Sequence, residues 1–416
     1  NRNPALLQAC GFNPLPVGGK PISQIQRDTT TGKTTVVWST TALRHAIPDE
    51  HNFSRFLANV IQLEEEQQLV SGLVDRLRGS LMAVLPDYGE HLGYDGKAIA
   101  SHSTGQKSAD GETSDADADW GKHETSGIDR RTGNVWKKVK SWFGYGLHLI
   151  ADSHYELPIA FRVTPASHSE QTQLKEMIED VLGESEELQS RCLDFSADRG
   201  LDSGPIKAML WDEYQVRPLI DTRELWREEK QLPDYDPSQP ITRLLNADKA
   251  DNIIHTEKGR VFCVCPVTSA QRPLAFQGFE ADRNTLKYRC PAAAYGFDCP
   301  GKAACANIGE VKPGDYGRIV RIDLGEHDRR VFVPTPHGSP SWKRGYNRRS
   351  ALERINSRLD NSFGFEKHYI RGKSKMTTRV GLALAVMMAM ALGHVMEGRS
   401  KQMRSLVRSV PIASSA

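Results

Sequence analysis

The sequence lacks an uninterrupted apolar run long enough to cross a bilayer. Its most apolar stretch, Val380–Val395, is interrupted by Gly381, Gly393 and His394. A transmembrane helix needs about 20 consecutive apolar residues. We therefore expect this stretch to form a buried helix that packs on a sheet, and we expect no membrane partner.

The chain also lacks a large net charge and a visible secretory signal. Its 54 Lys and Arg nearly balance 52 Asp and Glu, giving a formal net charge of +2, so the total charge says little about a nucleic-acid partner. No signal peptide is visible after Asn1, and we expect a cytoplasmic protein. With 416 residues, 38% of them hydrophobic, the chain is long enough for two or three structural units.

The seven cysteines lack the paired Cys-x₂-Cys spacing of common zinc ribbons. Five of them lie between Cys263 and Cys305, and three of these five precede a proline. A reducing compartment disfavours disulfides, so two interpretations stay open: free or packed thiols, and a structural Zn²⁺ site. The candidate zinc ligands are Cys265, Cys290, Cys299 and Cys305.

A segment rich in Gly, Ser and Asp, residues 105–123, has acids at alternating positions: Asp115, Asp117 and Asp119. It lacks the later Gly and the Glu that an EF-hand calcium loop requires at fixed offsets. We therefore expect a flexible acidic loop rather than a calcium site.

Positive charge is concentrated locally. From Lys343 to Arg379 there are eleven Lys and Arg against three acids, a distribution typical of a surface that binds a polyphosphate, although a merely soluble helix has the same pattern. Residues 136–143 mix aromatic and basic side chains, which suits stacking on unpaired bases and suits packing against a sheet equally well. They include Trp136, Lys137, Lys138, Lys140, Trp142 and Phe143.

Three acids far apart in the chain each lie where a carboxylate would sit at the end of a buried element. Asp95 precedes Gly96, and a glycine allows close approach of a neighbour. Asp198 ends an apolar run that breaks at Gly200, which predicts a strand end. Glu353 lies on a predicted helix with a regular apolar face. That face consists of Leu352, Ile355 and Leu359.

Carboxylates are ligands that Mg²⁺ prefers, and two such ions about 4 Å apart would stabilise an in-line phosphoryl displacement. Tyr346, Arg349 and Glu353 are three and four residues apart, so they share one face of the predicted helix. The first two would reach the phosphates of a bound strand. Any one acid alone is explained by a solvated surface charge. Their combination predicts metal-dependent chemistry on a nucleic acid.

Taken together, these segments resemble the DDE-type transposases of bacterial insertion sequences. Three motifs in the order that this family uses are more specific than any one of them. The similar segments are spread from about Asp95 to His394. They are Asp95–Lys97, Tyr145–Asp152 with Leu157–Ala160, Ala197–Asp202, and the helix with Tyr346, Arg349 and Glu353.

The resemblance implies an α/β fold: an RNase H-like mixed sheet flanked by helices, with an N-terminal helical region and a β-rich insertion before the helix of Glu353. Residues 1–90 would be a mainly helical region for DNA-end binding or protomer pairing, and 91–224 the first part of the catalytic core. Residues 225–334 would be the cysteine-containing insertion, and 335–416 the second part of the core. Runs such as Val261–Phe262 and Val331–Val333 favour strands in the insertion.

The resemblance also implies a transposase that cleaves DNA at the ends of an insertion sequence and transfers the freed strand to target DNA. Asp95, Asp198 and Glu353 would be catalytic and would bind Mg²⁺ or Mn²⁺. The partners would be terminal inverted repeats and target DNA, bound by a homodimer in a synaptic complex at the nucleoid. The expected DNA contacts are Tyr346, Arg349, Arg358, Lys367 and Lys373.

One position departs from the family pattern. The Tyr-x₂-Arg-x₃-Glu signature often continues with x₆-Lys, but this chain has Asp360 there. The DNA contact of that lysine is therefore absent or supplied by another cation, such as Arg358 or Lys367. Two alternatives stay open: a transposase-derived DNA-binding protein that no longer cuts, and an RNase H-like nuclease acting on RNA–DNA hybrids. The three acids argue against the first, and the Tyr346/Arg349 face with the cysteine-bearing insertion argues against the second.

Overall fold

The computed structural model of the protein describes residues 16–45, 50–106, 113–128, 135–226, 228–232, 235–236, 239–246, 250–305 and 316–406. The chain forms two compact units. One extends from Val70 to Arg404, and the other combines Asn1–Leu69 with Ser405–Ala416. The four-part division expected from the sequence stays a prediction.

The smaller unit contains a hairpin and a helix. Strands β1 (Pro16–Arg27) and β2 (Thr34–His45) pair antiparallel, with Arg27 opposite Thr34. The Asp28 side chain accepts hydrogen bonds from the N–H groups of Thr30 and Thr31 at 2.8 and 3.0 Å, which closes the turn. Helix α1 (Glu50–Gln67) follows. The described part of this region thus contains a helix and a hairpin that precedes it.

The larger unit is built on a six-stranded mixed sheet in the order β4-β5-β3-β7-β8, with β6 also paired to β5. Strands β3 (His91–Ala100), β5 (Val135–Asp152) and β6 (Leu157–Pro165) are antiparallel neighbours. Strands β7 (Asp194–Ala197) and β8 (Arg217–Ile220) extend the sheet in parallel beyond β3. Strand β4 (Asp119–Ile128) pairs with the first part of β5. The α/β class with a mixed sheet is confirmed.

Four helices belong to the first part of this unit. They are α2 (Leu69–Val84), α3 (Glu170–Ile178), α4 (Glu186–Arg191) and α5 (Gly204–Asp212). Ser169 caps α3 by accepting a hydrogen bond from the Thr172 N–H at 3.4 Å. After α3 the chain continues through a π-helical turn, Glu179–Gly183. A proline near the first residue of α5 suits a helix start, since that position needs no N–H donor.

The insertion is rich in strands, as expected. One sheet has the order β12-β11-β10-β9 and a second has the order β13-β14-β15. Their side chains share a core that includes Leu286 and Ile322. Val331–Val333 is buried in the insertion without forming a strand, which corrects that expectation. The elements are β9 (Thr242–Asn246), β10 (Ala250–Thr256), β11 (Val261–Val264), β12 (Gln271–Pro273), β13 (Ala275–Glu280), β14 (Thr285–Arg289), α6 (Pro291–Tyr295), α7 (Lys302–Cys305) and β15 (Ile319–Asp323).

The last helices are α8 (Pro340–Asn347), α9 (Ser350–Phe363) and α10 (Lys373–Met396). Helix α10 packs on β6, as expected, and Gly381 allows the contact: a Cβ there would lie 2.9 Å from Phe161 Cζ. By length and composition α10 is able to span a membrane, and half of its most apolar window is buried inside the protein. The expected absence of a membrane partner stays a prediction.

The acids of the predicted flexible loop are held by hydrogen bonds. Asp115 is 3% exposed and accepts from the Tyr145 hydroxyl at 2.7 Å and from the Gly372 N–H at 3.1 Å. Asp117 accepts from the Lys373 N–H at 2.9 Å. Both carboxylates thus lie at the N-terminus of α10, where negative charge is stabilising. Asp115 is therefore buried rather than solvated as expected, whereas Asp117 stays exposed while it accepts its hydrogen bond.

Candidate active site

Asp95 lies on β3, inside the central sheet, between two glycines that admit neighbouring elements. A Cβ atom at Gly93 would lie 2.8 Å from Leu352 Cδ1, and one at Gly96 would lie 2.7 Å from Glu170 Oε1. Positions 93 and 96 point to opposite faces of the strand. Helix α9 therefore contacts one face and the start of α3 the other, with Asp95 half-buried between them.

Asp198 comes level with Asp95 because their strands run in parallel. Gly93 of β3 is opposite Ser196 of β7, and two residues further along each strand are the two acids. Asp198 is the first residue after β7 and precedes a short 3₁₀-helix, Arg199–Leu201. Its side chain is 55% exposed. The predicted strand end is present, and it places this carboxylate level with Asp95 on the neighbouring strand.

Glu353 lies on α9, whose other side is buried through the predicted residues Leu352, Ile355 and Leu359. The Glu353 side chain is 61% exposed. One turn later on the same helix, Asn356 Nδ2 donates a hydrogen bond to Asp95 Oδ2 at 2.8 Å. Helix α9 thus brings Glu353 towards the strand of Asp95 and orients the Asp95 carboxylate.

Arg349 lies between the two exposed acids. Its Nη2 atom is 3.3 Å from Glu353 Oε1 and 3.9 Å from Asp198 Oδ1. Its guanidinium lies over the Tyr346 ring, 5.9 Å from the centroid. The structure therefore brings Tyr346, Arg349 and the two acids together on one surface.

The sequence predicted that Tyr346 and Glu353 share one helix. In the structure they lie on two different helices. Helix α8 ends at Asn347 and α9 begins at Ser350. Between them, the Arg349 N–H bonds to the Tyr346 carbonyl at 3.0 Å, three residues back, and the Ser350 hydroxyl donates to the Asn347 carbonyl at 3.1 Å. Such tighter turns and local side-chain bonds interrupt the helical ladder.

The acids act on each other electrostatically. Burial is the main reason that the pKa of Asp95 is raised to about 6 from its ordinary value of 3.8. Arg349 opposes this shift, whereas Asp198, Glu170 and Glu353 add to it. The site thus has more negative charge than Arg349 compensates, which favours an added cation.

Glu170 is a further acid near β3, on the opposite face of the strand from Asp95, and the sequence did not single it out. Its carboxylate lies over Gly96. Burial raises its pKa, His123 lowers it, and Asp198 raises it further. In the sequence Glu170 is simply the first residue of a helix capped by Ser169, a common place for an acid. No local signal distinguishes it from a helix-capping charge.

Comparison with known protein families identifies the family of this chain. A family model described as a transposase DDE domain matches residues 94–389, more than half of the chain. The chain belongs to the transposase DDE domain family. No curated protein and no solved structure matches it. As a member of this family the protein is a transposase, and it binds DNA.

Transposases of this family generally use divalent metal ions. In the part of the chain that the structure describes, no three side chains of His, Cys, Asp or Glu lie close enough together to hold one ion as they stand. The donor chemistry fits a hard cation, because carboxylate oxygens are its preferred ligands. Asp198 and Glu353 are 55% and 61% exposed, and with Asp95 they are the residues that would hold such an ion.

The residues expected to contact DNA differ in how exposed they are and in whether they are already paired with an acid. Lys367 and Lys373 are exposed. Arg358 is only 16% exposed, and its Nη2 atom lies 3.1 Å from Oε2 of the buried Glu156. Arg354 and Arg404 pair with the same carboxylate at 2.8 and 3.0 Å. Arg358 therefore anchors α9 to the turn between β5 and β6.

The cysteines of the insertion lie together. Cys263, Cys265, Cys290, Cys299 and Cys305 all line one cavity of about 370 Å³, away from the acids. Burial is the main reason that the pKa of Cys263 is raised to about 11. The side chain of Thr268 and nearby N–H groups lower the pKa of Cys265 to about 7. The four predicted zinc ligands are thus brought to a common space.

Proposed function

We propose that this transposase cleaves the phosphodiester bond at the ends of a bacterial insertion sequence and transfers the freed strand to target DNA. The observation that supports the proposal most is the position of Arg349. It lies between Asp198 and Glu353, 3.9 and 3.3 Å from their carboxylate oxygens, while Asn356 ties the same helix to Asp95. Arg349 thus links Asp198 to Glu353, and the helix of Glu353 is linked to Asp95.

In this proposal Asp95, Asp198 and Glu353 hold Mg²⁺ or Mn²⁺. A bound pair of such ions would stabilise the attacking and leaving oxygens of an in-line displacement. Asn356 fixes the Asp95 carboxylate through its 2.8 Å hydrogen bond. The Arg349 guanidinium leaves the acids and binds a substrate phosphate instead. A phosphate can accept two parallel hydrogen bonds from the guanidinium N–H groups. Tyr346 supports the guanidinium from one side.

The partners in the proposal are terminal inverted repeats and target DNA, and the active form is a homodimer in a synaptic complex. Activity is in the bacterial cytoplasm, at the nucleoid. The basic residues between Lys343 and Arg379 support a polyphosphate partner near the acids. Lys367 and Lys373 are exposed there.

The test is a cleavage assay on linear duplexes that include the inverted repeats flanking the coding sequence, with and without Mg²⁺. We expect Asp198→Asn and Glu353→Gln to lower cleavage at least about 100-fold, because each removes one charge that the transition state needs. Both variants should still bind the duplex. Glu366→Gln is the matched control, since Glu366 is an exposed acid just beyond α9.

Cleavage by Asp198→Asn at the rate of the unaltered protein would remove Asp198 from the mechanism. Binding of the duplex with no cleavage by the unaltered protein would favour the DNA-binding alternative. Cleavage of an RNA–DNA hybrid but not of the duplex ends would favour the nuclease alternative.

We also infer that the cysteine cavity of the insertion binds a structural Zn²⁺ ion through Cys265, Cys290, Cys299 and Cys305. The support is the convergence of thiols from distant segments on one cavity. Thiolates are the ligands of structural zinc. Among the described residues, no three of these sulfur atoms lie close enough together to hold one ion. Zinc binding would therefore require the cysteine side chains to move towards each other.

Metal analysis of protein purified without chelator tests this inference. About one zinc per chain is expected, falling to near zero in Cys290→Ser with Cys299→Ser. Cys192→Ser is the control, because Cys192 is buried elsewhere. Zinc-free protein that keeps its full thermal stability would contradict the inference.

A further inference from the structure

Strand β4 and the first part of β5 form a two-stranded ribbon that extends past the rest of the sheet. We call residues 119–128 and 135–144 the arm. Pairing of β3 with β5 ends at Gly144, and pairing of β6 with β5 ends at Tyr145. In the described chain, β5 residues 135–142 pair with β4 alone. At about 3.3 Å per residue, this ribbon extends roughly 25 to 30 Å.

The arm extends from the edge that holds the acids. Strand β5 is antiparallel to β3, so going from Gly144 back to Val135 continues in the direction in which β3 runs. Strand β7 runs in that same direction, and Asp198 follows its end. The arm therefore projects beyond the side of the sheet on which Asp198 lies.

The two faces of the arm differ in charge. On one face Lys122 and Lys137 both pair with Glu124, at 2.8 and 2.7 Å, so their charges are largely compensated. The other face has Lys138 and Lys140, both exposed, with no ion-pair partner among the described residues. Alternate residues of a strand share a face, so Trp136 and Trp142 lie beside these two lysines.

The uncompensated face has one fixed and one exposed aromatic ring. Trp142 lies on Gly121: a Cβ there would be 2.5 Å from the ring, and Trp142 Nε1 donates to the Tyr145 carbonyl at 3.1 Å. Trp136 is 45% exposed. An exposed tryptophan beside two unpaired lysines is not explained by packing on the sheet, which was one of the two interpretations of this segment.

Along β5 this face of the arm continues the face of the sheet on which Glu170 lies over Gly96, because His148 is opposite Gly96 in the register. His123 is opposite Lys140 in the register, and it lies close enough to Glu170 for its charge to act on that carboxyl. Glu170 in turn acts on Asp95. The lysines of the arm therefore lie on the Glu170 side of the sheet, beyond the end at which Asp198 follows β7.

We propose that the arm binds duplex DNA next to the phosphodiester that is cut, with Lys138 and Lys140 on phosphates and Trp136 against the groove. This inference rests on the proposed function, since it assigns DNA to the same site. A two-stranded ribbon fits the major groove of B-DNA, which is about 12 Å wide. Lysine contacts to phosphates position a protein on the duplex without reading its sequence.

The test compares two double variants of the full chain that remove the same charge from opposite faces. One is Lys138→Gln with Lys140→Gln, and the matched control is Lys122→Gln with Lys137→Gln. Affinity for a fluorescent duplex of about 30 base pairs and arbitrary sequence is measured by anisotropy at several salt concentrations. The first variant should bind about tenfold more weakly, with its salt slope reduced by about 2. The control should change less than threefold.

A third variant, Trp136→Ala, should weaken binding several-fold. Its salt slope should be unchanged, because the substitution removes no charge. Equal losses in the two double variants, or no loss in either, would overturn the proposal. A larger loss for a single strand than for the duplex would overturn the assignment to duplex DNA. Equal thermal unfolding midpoints show that the variants are folded.

The outcome separates this inference from the proposed function. Binding is measured without a divalent metal and needs no cleavage. If the unaltered protein binds DNA through Lys138 and Lys140 but never cuts it, the proposed activity is wrong and the proposal that the arm binds DNA is supported. If the unaltered protein cuts DNA, and the first double variant binds and cuts normally, only the proposed DNA-binding role of the arm is contradicted.

Discussion

The Nζ atom of Lys97 lies 2.6 Å from Oδ2 of Asp360, joining the strand of Asp95 to the helix of Glu353. The two side chains are only 15% and 19% exposed. The family signature often has a lysine where this chain has Asp360. Here the cation comes from β3 instead, two residues after Asp95, so the pair ties together the elements of two proposed catalytic acids.

Exchange of this pair tests how it acts. Lys97→Asp places two carboxylates face to face, and we expect the free energy of unfolding to fall by about 2 kcal/mol. Lys97→Asp combined with Asp360→Lys should recover at least half of that loss, because opposite charges again meet. Urea unfolding of the single and double variants measures the coupling. Additive losses would show that the two side chains do not interact.

Metal dependence should change with pH. Because burial raises the pKa of Asp95 to about 6, a proton competes with a metal ion for this carboxylate below that pH. The Mg²⁺ concentration for half-maximal cleavage should rise about tenfold from pH 7 to pH 5. DNA binding without metal, measured over the same range, is the control. A constant Mg²⁺ requirement would contradict a role for Asp95 as a ligand.

The buried Glu156 should stabilise the position of α9. Its side chain is 5% exposed and pairs with Arg354, Arg358 and Arg404. Glu156→Gln keeps the shape but leaves Arg358 without a countercharge, and since the other two arginines are half exposed we expect a loss of about 2 kcal/mol of unfolding free energy. Glu326→Gln, an exposed substitution, should change stability little. Equal stabilities of the two variants would contradict this role.

Stability should fall in acid because of His337. Burial is the main reason that the pKa of His337 is lowered to about 3 from 6.5. Below about pH 6.5 the unfolded chain takes up a proton that the folded chain does not, so folding stability is lost as pH falls, by up to about 1.4 kcal/mol per unit. His337→Gln should reduce this slope between pH 6.5 and 4.5, measured by urea unfolding. Parallel slopes would contradict the assignment.

Much of this arrangement followed from the sequence because it is encoded in short segments. The strand end at Asp198, the apolar face of α9 and the strand-rich insertion are all visible in local periodicity. The relationships that complete the site are not local. Asn356 meets Asp95 across 261 positions, and Lys97 meets Asp360 across 263.

Two misjudged regions share one physical cause. The acids at 115 and 117 resemble a solvated loop in the sequence, but in the fold they accept hydrogen bonds from N–H groups at the N-terminus of α10. Glu170 resembles an ordinary first-turn acid in the sequence, but folding places its carboxylate over Gly96, on the strand next to Asp95. In both cases the function of a carboxylate depends on a partner that folding supplies from a distant segment, so local propensity gives no warning.

In the proposed function Asp198 is a metal ligand in DNA cleavage. Asp198→Cys replaces a hard oxygen with a soft sulfur, which Mg²⁺ binds poorly and Mn²⁺ accepts better. We predict that this variant loses cleavage in Mg²⁺ and regains a measurable part of it in Mn²⁺, whereas Asp198→Ala regains none. Full activity of Asp198→Cys in Mg²⁺, or equal rescue of both variants by Mn²⁺, would contradict the account.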